Sequence, residues 1–132
     1  DYYATLLEMA GIEKKPGVAP DSVSLVPLLK GEAKFNRGPM FWHYPVAKRL
    51  TPLSEPGSVV RDGDWKYIYF YSDGRSELYN LKDDIGETKN LAALNPKKAK
   101  KMKTQLTSVL KAHNATIPLA VPPKTNRLNE KR

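Results

Sequence analysis

The chain opens on apolar residues that return every three to four positions, Tyr3, Leu6, Leu7 and Ala10, just ahead of Gly11. That spacing predicts a helix over residues 1–11, with the glycine as the left-handed residue past its end. Pro16, Gly17 and Pro20 then ask for a loop. The segment Ser24-Leu-Val-Pro-Leu-Leu-Lys-Gly31 suits one short helical turn closed by Gly31, with Pro27 tolerated only in its first turn. From Met40 the pattern changes. Met40–Tyr44 is a compact aromatic run ended by Pro45, which predicts a buried strand, and residues 45–57 hold three prolines and Gly57 and read as a long loop. Ser58–Arg61 is a short strand followed by an Asp62-Gly63-Asp64 turn.

In residues 65–71, Trp65, Tyr67, Tyr69 and Tyr71 alternate with Lys66, Ile68 and Phe70. A strand apolar on both faces belongs inside a sheet, or between a sheet and a packed neighbour. Ser72-Asp-Gly-Arg75 supplies a hairpin turn, and Glu77–Leu81 returns antiparallel. Asn95 and Pro96 open a long helix whose Ala99, Met102, Leu106, Val109, Leu110 and His113 form one stripe. The pattern breaks at Asn114. Together these elements predict an α+β fold: a small antiparallel sheet of about four strands, with the long C-terminal helix packed on one face. Residues 1–123 form the expected subdomain and 124–132 a flexible tail.

Composition narrows the picture. With 40% hydrophobic residues, including two Trp, seven Tyr and three Phe, the 132 residues can bury a modest core. No stretch is apolar enough to span a membrane, and no leader pattern is visible. The absence of cysteine removes disulfides, thiolate metal sites and cysteine nucleophiles. The net charge of +8 is uneven: twelve Lys/Arg face thirteen Asp/Glu up to residue 95, and ten face only Glu130 beyond it. Such a patch suits a solvated helix face and tail, or an acidic glycan, membrane or nucleic acid.

Little in the chain carries chemistry by itself. There is no glycine-rich phosphate loop, no paired histidine at ligand spacing and no nucleophile elbow. Asp62/Asp64 and Asp83/Asp84 lie in turns, where Asp serves the backbone. His113 continues the apolar stripe and reads as structural. His43 lies on the strand face opposite Trp42 and Tyr44, at the mouth of the Pro-rich loop. It is either a histidine hydrogen-bonded within the sheet or part of a pocket wall. Arg61, at a strand end before a tight turn, either pairs with a carboxylate or holds an anion bidentately. Aromatics and cations are not interleaved on one strand face, so core packing is the stronger reading of residues 65–71 and no nucleic-acid partner is expected.

Five segments in order resemble the C-terminal end of the arylsulfatase family, within the alkaline-phosphatase-like superfamily. They are DYYATLLEMAGI, DSVSLVPLLKG, FWHYP, SVVRDGDWKYI and ELYNLKDDIGETKNLA, and the match runs over residues 1–113. Ala4 and Ile85 stand where that family usually has proline, and Ser22 where it has glycine. The resemblance implies a sulfuric ester hydrolase whose formylglycine nucleophile, calcium ligands and sulfate-binding groups lie upstream, since no residue here matches them. No catalytic or metal residue is therefore assigned.

This chain would support the upstream catalytic domain of the same polypeptide and, through loop 45–57, His43 and Arg61, help wall the cleft for a sulfated small molecule or glycan. The resemblance also implies a periplasmic, secreted or lysosomal setting. Two other readings stand beside it: the same subdomain of a phosphonate or phosphate monoester hydrolase, and a free-standing module binding an acidic glycan or nucleic acid through residues 97–111.

Overall fold

The computed structural model describes residues 1–32, 35–45 and 55–118. Most of the predicted loop over 45–57 and all of the predicted tail therefore lie outside the described residues. The chain divides into two compact units, Asp1–Gly38 and Pro39–Arg132.

In the first unit, α1 spans Tyr2–Met9 and α2 spans Val26–Leu29. Both end as the glycines predict. Gly11 (φ +66°) and Gly31 (φ +76°) take the left-handed conformation. The amides of Gly11 and Ile12 return to Glu8 and Leu7, and those of Gly31 and Glu32 return to Leu28 and Pro27. These paired bonds satisfy helix-end carbonyls that would otherwise lack partners.

The start of α1 is held by polar contacts rather than by its apolar ridge. The hydroxyl of buried Thr5 donates to the Asp1 carbonyl and accepts from the Leu25 amide, while the Asp1 carboxylate takes two bonds from Arg37, at 2.7 and 2.9 Å. Ala4 and Thr5 are the buried residues of α1, whereas Tyr2 and Leu6 are 81% and 64% exposed. The predicted ridge of Tyr3 and Leu6 thus faces outward, because the segment that covers α1 lies over its small residues.

The second unit is a meander of β1 (Met40–Tyr44), β2 (Gly57–Asp62), β3 (Trp65–Phe70) and β4 (Ser76–Asn80), every neighbour antiparallel. The register aligns Phe41, Val60, Tyr67 and Leu78 across the sheet. Onto that row α3 (Pro96–Ala112) lays Met102 and Leu106, and the five side chains Val60, Tyr67, Leu78, Met102 and Leu106 form the core. This is the predicted α+β architecture. At the end of α3, Asn114 (φ +49°) plays the part that glycine plays in α1 and α2, with the Ala115 amide returning to Leu110.

Two expectations need correction. β1 is only half buried: Trp42 and Tyr44 are 51% and 45% exposed, because α3 covers one face of the sheet and they lie on the other. His113 is exposed at the C-cap of α3 and does not continue the buried stripe. Gly57 is fixed by space: a Cβ there would sit 2.9 Å from the carbonyl oxygen of Tyr69, a backbone atom of the neighbouring strand. Among the described residues no helix is long and apolar enough to cross a membrane.

Candidate functional site

The inward alternation of β2 puts Ser58 two residues before Val60, on the face that α3 covers. Ser58 is fully buried, and a buried hydroxyl needs partners. It has two, His43 Nδ1 and the Tyr71 hydroxyl, both at 2.7 Å. The other ring nitrogen of His43, Nε2, lies 3.1 Å from the carbonyl oxygen of Thr116, beyond the end of α3.

A carbonyl only accepts, so Nε2 carries a proton, and in that tautomer Nδ1 accepts from Ser58. Tyr71 then donates to Ser58, with its ring edge-on to the imidazole at 5.9 Å. His43 thereby ties β1, β2, the turn after β3 and the segment after α3 together. Sequence reasoning singled out His43 but missed Ser58, Tyr71 and Thr116. The readable signal was a serine at an inward position of an otherwise apolar strand.

Arg61 does not join this network. It pairs with Met40 and Lys66, three residues along β2 from Ser58, so its side chain leaves the opposite face of the sheet. It is exposed, and its Nε donates weakly to the Gly63 carbonyl at 3.4 Å. Lys66 beside it is paired with Glu87 through two contacts of 2.7 Å. Arg61, Lys66 and Trp42 line a surface cavity of about 370 Å³ on this face. The two candidates from the sequence are therefore on opposite faces and at opposite ends of β1.

A third cluster holds the chain as it enters β2. Glu55 receives both arms of the Arg75 guanidinium, one at 2.8 Å, and a bond from the Ser72 hydroxyl. Arg75 also reaches Asp73 at 3.0 Å and lies 3.8 Å over the Phe70 ring. The Arg75 hydrogen bonds first, and then that of Ser72, pull the Glu55 carboxyl down from an ordinary 4.5 to about 2.

A carboxyl lowered in the folded state adds stability above its unfolded pKa, and loses it as pH falls through the folded one. The Glu55 contribution should therefore fade between pH 4.5 and about 2. Because the pair is about one-third exposed, we expect it to be worth no more than about 1 kcal/mol. Asp73 and Asp84 are lowered too, so the informative measurement is the difference between wild type and Glu55→Gln in acid unfolding. The two curves should converge by about pH 2. A constant offset across that window would contradict this assignment.

Three further acids serve the backbone or a neighbouring side chain. Asp84 accepts from the Thr88 and Lys89 amides, Asp83 from the Asn80 side chain, and Asp62 from Gln105. Among the described residues no three His, Cys, Asp or Glu side chains gather as a metal would require. A calcium ion wants six to eight converging oxygens, and this donor set does not fit one.

Comparison with known proteins agrees with the order of these elements. Residues 1–116 match the family described as N-sulphoglucosamine sulphohydrolase, C-terminal. A sulfatase of Formosa agariphila is 35% identical over 127 residues, covering 87% of this chain and 23% of the relative. A Delta 4,5-hexuronate-2-O-sulfatase of Bacteroides thetaiotaomicron is 35% identical over 103 residues, covering 76% and 20%. Among solved structures, a 2-O GAG sulfatase superposes with a TM-score of 0.68 at 28% identity, over 92% of this chain and 27% of that one. The chain thus spans about a fifth to a quarter of the length of these relatives. With its meander, its covering helix and a match over nearly its whole described length, the chain belongs to the family of sulfatase C-terminal domains.

Proposed function

We propose that this chain is the C-terminal part of an enzyme that hydrolyses sulfate esters of a glycan, and that the catalytic centre lies in an upstream domain. The family match over residues 1–116 carries the reading. The choice of glycan is supported by one relative named Delta 4,5-hexuronate-2-O-sulfatase and by a similar structure solved with D-glucosamine-2-N,6-O-disulfate, at 28% identity and a TM-score of 0.66. The upstream domain would supply the formylglycine nucleophile and calcium that the resemblance implies, since among the described residues no three His, Cys, Asp or Glu side chains converge.

Within that enzyme the sheet and α3 support the cleft, and the end of β1 at His43 faces it. Arg61 forms no ion pair among the described residues and can bond an anion with two parallel N–H groups, but on the other face and at the other end of β1 it would do so apart from that cleft. His43 is a positioning residue. With one ring nitrogen on Ser58 and the other on Thr116, it fixes the strand end from which residues 46–54 depart.

The chain alone should be catalytically silent. Sulfate-ester hydrolysis needs a held nucleophile, cations on the sulfate oxygens and an acid for the leaving oxygen. The described residues do not assemble these groups. An assay of the purified chain with an aryl sulfate and calcium should show no turnover above buffer, and saturable turnover would overturn the placement of the centre upstream.

A further inference from the structure

We infer that α3 and the groove beside it form an anion-docking surface that holds a sulfated glycan chain. The choice of polyanion rests on the reading under Proposed function; the surface itself rests on charge and shape. α3 carries Lys97, Lys98, Lys100, Lys101, Lys103 and Lys111 and no acidic residue. Among the described residues, none of the ion pairs includes any of these lysines. So many unneutralised like charges on one helix repel each other, and a polyanion relieves that repulsion.

Helical spacing aligns Lys100, Lys103 and Lys111 along one outward edge of α3, about 16 Å from first to last. Beside that edge runs a groove of about 610 Å³, floored by Tyr69, Leu106, Leu110 and Ile117, with Lys103 and Lys111 on its lip and no acid in its lining. An occupant must therefore offer repeated negative charge together with weakly polar C–H surface. Sulfated sugar rings have both: sulfate groups for the compact lysine charges, and C–H faces for the Leu110 and Ile117 part of the floor.

A nucleic acid fits less well. Base stacking needs an open aromatic face, but the Tyr69 ring is capped by the Lys103 ammonium at 5.1 Å and Tyr71 is 7% exposed.

Heparin is the probe, titrated into the full chain by calorimetry at several salt concentrations, with no turnover involved. Lys103→Glu/Lys111→Glu should weaken heparin binding at least tenfold and flatten its salt dependence, as expected when two cations no longer release counterions. Lys14→Glu/Lys15→Glu, the same charge change in the first unit, should alter binding less than twofold. If the double Glu variant does not fold, Lys103→Gln/Lys111→Gln should show a smaller loss in the same direction. Wild-type affinity in either folded lip variant, or tighter binding of duplex DNA than of heparin, overturns the inference.

The inference and the functional reading can fail separately. Heparin binding that depends on these lysines, in a polypeptide that releases no sulfate, would leave the surface standing and remove the sulfatase reading. Release of sulfate from a small aryl ester by an enzyme whose lip variants still bind heparin normally would do the reverse.

Discussion

Replacing Leu78 with Ala should destabilise the sheet-and-helix unit by about 2–5 kcal/mol, the largest loss expected from any single substitution discussed for this chain. Leu78 is fully buried at the centre of β4, and its neighbours Val60, Tyr67, Met102 and Leu106 come from three separate elements. Deleting its branched end leaves a cavity that the sheet cannot close without breaking the β3–β4 register. For a unit of this size the change corresponds to a fall in melting temperature of at least about 10 °C. Ile85→Ala removes a similar volume from an exposed site and should stay within about 0.5 kcal/mol of wild type. Equal melting of the two variants would show that the core lies elsewhere.

His43→Ala should have the second largest effect, and on two quantities. The substitution removes the bonds to Ser58 and to the Thr116 carbonyl, and because that carbonyl is exposed and can turn to water the cost is about 0.5–1.5 kcal/mol. Ser58 keeps Tyr71, which limits the loss. In the complete enzyme, misplacing the end of β1 should raise KM about two- to tenfold with kcat changed much less, the pattern of a lost ground-state contact. His43→Asn, which retains an amide donor, should recover part of both. Loss of stability with KM unchanged would assign His43 to the fold alone.

Much of the architecture was legible because each element states its own period. Alternation in residues 65–71 and the Asp-Gly turn led to the hairpin, helical spacing from Ala99 led to α3, and Gly11 and Gly31 marked helix ends that the structure places at positive φ. Periodicity does not say which side of an element meets a neighbour. Met40–Tyr44 looked buried because all its residues are large, yet only one face of β1 is covered by α3. α1 turned its larger side chains outward for a related reason: the hydrogen bonds of Asp1 and Thr5 decide its orientation, and these join residues about twenty apart in sequence.

The candidate site was less legible still. His43 was visible as a polar residue in an aromatic run, but its partners lie 15, 28 and 73 residues away and share no local pattern with it. The Glu55–Arg75 pair, twenty residues apart, left no signal beyond two ordinary surface charges.

If this chain completes a sulfatase, as proposed, ion chromatography of the reaction of the complete polypeptide should show it directly. With a sulfated glycosaminoglycan disaccharide as substrate, one inorganic sulfate should appear for each ester cleaved, while matched phosphate and phosphonate esters should release nothing above buffer. Release of phosphate or phosphonate without sulfate would contradict the account.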